Sequence, residues 1–158
     1  MKALHRVVRA AALIGLALVF PSAPPALAQV NLPPNRSIAV TIRASGEHTG
    51  KLAGHVAAAV AESLAKQPIF RVAAEDAVHG LPPEMRAADI AATLGVRFVL
   101  VGLMDGGPEI FRIALELVDV RGGTTVWSGS FFPEEDEMET VTDEIFAAVA
   151  GRLRDAPL

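Results

Sequence analysis

His48, His55 and Glu62 recur at intervals of seven residues. Two imidazoles and a carboxylate are the donor types of a zinc-type centre, so their spacing is the first thing to weigh. Seven residues along a helix keep side chains on one face but separate them by about 10 Å per step. Ligands sharing one helix stand three or four residues apart, because each must reach within about 2 Å of the ion. His48 also falls ahead of the helix that the pattern predicts. These three are therefore expected to be exposed polar residues, and no metal site is assigned.

Glu134, Glu135, Asp136, Glu137 and Glu139 place five carboxylates in six positions. A calcium loop needs alternating Asp or Asn, a Gly turn and a distant Glu, none of which is here. The positions instead suit the first turn of a last helix, where acidic groups complement the helix dipole. A partner contact by the run 134–139 stays open. Asp105-Gly106-Gly107 and Arg121-Gly122-Gly123 are turn glycines without a phosphate-cradle pattern. Ser45, Ser63 and Ser128 lack the setting of a hydrolase nucleophile. Trp127, the single Trp in a chain without Tyr, is expected in the core or at its rim rather than in a binding platform. The sequence assigns no catalytic residue, no cofactor-binding residue and no cofactor.

The elements that would position these residues follow from periodicity. Residues 37–42 alternate as a strand does. A loop over 44–49 leads to a helix over 51–66, with Leu52, Val56, Val60 and Leu64 in line, and Pro68 ends it. A short strand covers 69–73, and a loop with Pro82-Pro83 covers 75–84. A helix over 85–94 turns Ala87, Ile90, Ala91 and Leu94 to one face, with Gly95 as its left-handed cap. Phe98-Val99-Leu100-Val101 reads as a strand buried on both faces. Strands over 110–118 and 124–132 form a meander, the second with Trp127 and Phe131 on one face. A last helix from near Glu134 buries Met138, Val141, Ile145, Val149 and Leu153. The fold class is α/β (α+β): a two- or three-layer mixed sheet in the order β-α-β-α-β-β-β-α, ending in an antiparallel meander.

Residues 1–28 read as a cleavable secretory signal. Lys2, Arg6 and Arg9 make a basic start. Residues 10–20 are apolar, well short of the roughly 20 residues that span a bilayer. Pro21, Pro24 and Pro25 break the run, and Ala26-Leu27-Ala28 supplies a small-x-small cleavage site after Ala28. Residues 29–36 are then a flexible lead-in and 37–154 a single domain. The full chain carries 14 Lys and Arg against 18 Asp and Glu; without the signal, 11 face 18, a net charge of −7. That balance argues against nucleic acid and anionic lipid as partners and favours solubility. The chain has no Cys, so thiol nucleophiles, thiolate metal sites and a lipid-bearing cysteine at the cleavage site are excluded.

Asp89-Ile90-Ala91-Ala92-Thr93-Leu94-Gly95-Val96-Arg97-Phe98-Val99-Leu100-Val101-Gly102 resembles a helix-to-strand signature. Leu115-Glu116-Leu117-Val118-Asp119-Val120, then Gly122-Gly123 and Val126-Trp127-Ser128, resembles its continuation, and Ser37-Ile38-Ala39-Val40 its opening. Together they resemble the TolB amino-terminal-like domain, as in adenylate or guanylate cyclase-related TPR proteins and FlgO- or CsgG-like domains. The likeness covers about residues 37–153. It departs after the first strand, where Thr41-Ile42-Arg43 and a short loop replace Leu-Pro-Phe and a longer one. The resemblance implies an accessory domain of the envelope and no cyclase chemistry.

The expectation is a non-enzymatic periplasmic adaptor, contacting an envelope protein or itself, with no nucleic-acid partner and no stable membrane insertion once the signal is cleaved. The alternative is a small-ligand or metal-binding protein or enzyme. It would use Arg43, Glu47, His48 or His55 near the carboxyl end of the first strand, where open α/β sheets place ligands.

Overall fold

A computed structural model describes residues 35–107 and 109–158. The signal 1–28 and all of the lead-in except Asn35 and Arg36 lie outside the described residues.

The described chain runs β1 (Ser37–Ala44), α1 (Glu47–Ala65), β2 (Arg71–Val72), α2 (Glu75–His79), α3 (Ala87–Leu94), β3 (Phe98–Gly106), β4 (Phe111–Asp119), β5 (Thr124–Phe131), a 3-10 turn (Glu135–Glu137) and α4 (Met138–Asp155). The five strands form one mixed sheet in the order β2-β1-β3-β4-β5. β1 is parallel to β2 and β3, and β3, β4 and β5 form the antiparallel meander. The expected class and meander are therefore present.

Strand alternation divides the sheet into two faces. Ile38 and Val40 of β1, Phe98, Leu100 and Met104 of β3, and Phe111, Ile113, Leu115 and Leu117 of β4 are buried toward α1 and α4. α1 meets them with Ala53, Val56, Val60 and Leu64, and α4 with Met138, Ile145, Val149 and Leu153. The opposite face has a smaller core, in which Ala39 and Val99 meet Ile90 and Ala91 of α3. β3 is thus buried on both faces along Phe98–Leu100, as its uninterrupted apolar run requires. Gly95 caps α3 at φ 65°, ψ 38°, the left-handed region where glycine carries no Cβ penalty.

Five differences from the sequence reading have local causes. α1 begins at Glu47, so His48 lies inside it. Thr49 is buried one turn ahead of Ala53 and extends the buried stripe backwards through a polar residue that an apolar count passes over. Leu52 is only half-buried, and Ala53 takes its inward place. β2 shrinks to two residues, and a five-residue helix, α2, stands where a loop was expected, too short to show a period. The acidic run forms a 3-10 turn before α4, with Glu137 Oε2 accepting the Glu134 N–H at 3.0 Å in a capping box.

Gly129 is required by packing. A Cβ there would lie 2.6 Å from Trp127 Cζ2 and 2.8 Å from Cη2, so the bare backbone lets the indole lie across β5. Its ring centroid sits 6.5 Å from that of Phe131. Gly129→Ala should cost about 1–3 kcal/mol through overpacking. Urea unfolding followed by the fluorescence of Trp127, the only Trp, measures it.

Candidate functional site

The helices cover the two faces unequally. α1 and α4 close the inner face, whereas α2, α3 and the segment around Pro82-Pro83 cover the outer face only over β1 and the first half of β3. Beyond them the outer face of β3, β4 and β5 forms a shallow groove of about 770 Å³. Val101 and Leu103 supply its apolar part, Ala114 and Glu116 its middle, and Ser128 and Ser130 its far side. Leu103 is 42% exposed, unusual for a leucine in a central strand. β4 explains why the face is bare. Phe111, Ile113, Leu115 and Leu117 point inward, which leaves Arg112 and Glu116 exposed on the outside.

The residues expected near the carboxyl end of β1 do not converge. Arg43 Nη2 donates to the Met85 carbonyl and ties β1 to the 82–86 segment. Arg43 also stands between the outer groove and a cavity of about 280 Å³. That cavity is walled by Ala57, Ala58 and Ala61 of α1 and by Leu81, Pro82 and Pro83. Glu47 and His48 lie on the first turn of α1 and line neither space. His48 Nε2 is 4.0 Å from Glu135 Oε2, both well exposed, and its ring is 6.0 Å from that of Phe111. His55 is exposed two turns further along α1. Among the described residues, no group of three or more His, Asp or Glu side chains is placed to hold a metal ion. No helix among them is long and apolar enough to cross a membrane.

The strongest polar arrangement lies at the opposite end of the sheet. Arg97 is 5% exposed. Its Nη2 donates to Asp119 Oδ2 at 2.7 Å, and Nε approaches both carboxylate oxygens at 3.1 and 3.2 Å. Nη1 donates to the carbonyls of Pro157 at 2.7 Å and Asn35 at 3.4 Å. The Arg97 backbone N–H donates to Ser37 Oγ at 2.9 Å. The Arg97 guanidinium, hydrogen-bonded to Asp119, holds the Asp119 carboxyl below the usual carboxylate range against the opposing effect of burial. The backbone N–H groups of Arg121 and Gly122 add to that lowering. The same pairing raises Arg97 further above its already high value. This cluster ties the segment before β1, at Asn35, to the segment after α4, at Pro157. Nearby, Arg36 donates to the carbonyls of Leu153 and Arg154 at the end of α4, both at 3.2 Å. Neither Arg97 nor Asp119 was expected as a polar centre from the sequence. The available signal was a lone Arg immediately ahead of an apolar strand, with an Asp at the end of the next.

The fold is shared with solved structures. The chain is similar to part of TolB from Acinetobacter baumannii, with TM-score 0.58 and 16% identity over 78% of this chain. It spans 29% of that TolB chain. It is also similar to a PelC dodecamer subunit from Paraburkholderia phytofirmans, with TM-score 0.50 and 23% identity over 79% of this chain and 92% of that one. A third similarity is to the LpoB C-terminal domain from Salmonella enterica, with TM-score 0.47 and 19% identity over 67% of this chain and 87% of that one. No family model and no curated protein matches the sequence. The expected likeness to TolB is thus met at the level of the fold.

Proposed function

We propose that this chain is a non-enzymatic accessory domain, exported to the periplasm by residues 1–28, that makes protein contacts in the bacterial cell envelope. The observation that carries this reading is the bare outer face of β3–β5. A sheet face with an exposed Leu103 beside Val101, rimmed by Glu116, Ser128, Ser130 and Arg86, has the mixed apolar and polar make-up of a protein contact. The TolB-like fold, the signal pattern and the acidic balance support the same reading. Membership of the TolB amino-terminal-like family belongs to this proposal.

Two substitutions test it. Glu116→Lys alters an exposed position, so stability should change by no more than about 0.5 kcal/mol; Leu103→Asp also gives up partly buried apolar surface in a central strand and should cost about 1–2 kcal/mol without unfolding the domain. Recovery of a specific envelope partner from cell extract should fall at least about tenfold for Leu103→Asp, equivalent to about 1.4 kcal/mol. Retention of that partner by both variants contradicts the proposed surface.

The cavity beside Arg43 favours a second reading, a small-ligand protein. Its volume of about 280 Å³ lies at the lower edge of the range of ligand sites. Thermal shifts with metals, nucleotides and sugars decide it. A shift that Arg43→Ala abolishes supports this reading, and uniformly null shifts remove it.

A further inference from the structure

β5 leaves one edge of the sheet open, since it pairs with β4 alone among the described strands. Phe131, Gly129 and Trp127 stand opposite Ile113, Leu115 and Leu117. The Phe111 N–H donates to the Pro133 carbonyl at 3.0 Å, which sets the antiparallel alternation. The main-chain groups of Trp127, Gly129 and Phe131 therefore face β4, and those of Ser128, Ser130 and Phe132 point out of the sheet. Proteins blunt such edges with Lys, Pro or a bulge. Thr124–Phe131 holds neither Lys nor Pro. Its one irregularity leaves Val126 as an extra residue opposite Leu117/Val118, and Trp127–Phe131 pairs regularly beyond it. Phe132 is 64% exposed at its upper end, and Val126 is exposed at its lower end.

The two ends of this edge carry opposite charge. Past Phe132 come Glu134, Glu135, Asp136, Glu137 and Glu139, and Glu137 and Glu144 line a groove beside Phe131 and Phe132. At the other end Arg121 stands in the turn that leads into β5, its guanidinium donating to Asn35 Oδ1 at 3.2 Å. We propose that two copies of this chain pair through antiparallel β5 strands about a twofold axis at Ser130, joining two five-stranded sheets into one. Ser128 of each copy then stands opposite Phe132 of the other, and about six main-chain hydrogen bonds form across the axis. The acidic run of one copy lies alongside Arg121 of its mate. A parallel pairing would set acidic end against acidic end. An interface of this kind is isologous and closes at two copies.

Size-exclusion chromatography with light scattering tests this on the purified protein over about a hundredfold range of concentration. The expected mass is that of two chains, falling toward one on dilution, with several-fold weaker association in high salt as the paired charges are screened. Ser130→Pro removes an outward N–H and no ladder bond within the chain, so it should give the one-chain mass with an unchanged circular dichroism spectrum. Ser130→Lys sets like charges together on the axis and serves the same purpose should the proline variant misfold. A one-chain mass at every concentration overturns the proposal, as does a larger assembly or a dimer that survives Ser130→Lys. A one-chain protein whose β5 edge binds a basic peptide instead also overturns it.

Discussion

Replacing Arg97 with Met is expected to lower stability by about 3–5 kcal/mol, the cost of leaving one buried partner of an ion pair uncompensated. The loss reaches beyond Asp119. The Pro157 and Asn35 carbonyls lose their donor, so the segments before β1 and after α4 that Arg97 holds together separate. Chemical denaturation at neutral pH measures the effect. The double change Arg97→Met with Asp119→Leu should recover part of it, because replacing both partners by apolar groups removes the stranded charge. A single variant as stable as the unaltered chain contradicts the role given to the pair. The pH dependence follows from the direction of the Asp119 shift. Its carboxyl is held below the ordinary value in the folded state, so its contribution is fully present above the unfolded value of about 3.9. The contribution is lost as pH falls from there through the folded value. Arg97, raised further, stays charged throughout. Acid unfolding of the unaltered chain should therefore steepen below about pH 4, and Asp119→Asn should flatten that part of the curve.

Phe98→Ala is expected to cost about 3–5 kcal/mol, the range for removing a fully buried aromatic ring. Phe98 opens β3, has no exposed surface and stands in the core between the sheet and α1 and α4. The Arg97 guanidinium carbon lies 4.8 Å from its ring centroid, an arrangement that adds a cation–π attraction. The two side chains touch the same structure from either side of one peptide unit. Their effects should therefore fail to add, and a double-mutant cycle should show a coupling of about 0.5–3 kcal/mol. Additive effects would mean that the ring and the ion pair are energetically separate.

Sequence and structure agree where one physical pattern acts alone. Alternation marks β4 because one face is buried and the other wet, and Phe111 to Leu117 follow it without a break. The run Phe98–Val101 announces a strand between two layers, and Gly95 announces a helix end through its conformational freedom. Agreement fails where a polar residue does an apolar one's work. Thr49 is buried in the first turns of α1, so the helix starts earlier than Leu52 suggests and takes His48 with it. Arg97 and Asp119 are buried because each satisfies the other, and pairing across 22 residues shows only in their places at the ends of adjacent strands, not in any periodicity. The candidate surface was legible only in part. The polar outer positions Arg112 and Glu116 are visible in the alternation. That no helix covers them depends on where α2 and α3 pack, which follows from the chain order of the crossovers and not from β4 itself. The Ser128 and Ser130 edge depends on the strand order, because only a terminal strand leaves those main-chain groups without a neighbour.

A photo-crosslinking residue placed at Leu103 in living cells probes whether the bare outer face of β3–β5 meets a partner. A covalent adduct with one discrete envelope protein is expected from Leu103 and from Ser128, and none from Glu62 on the exposed side of α1. An adduct from Glu62 with none from Leu103 or Ser128 would contradict that contact.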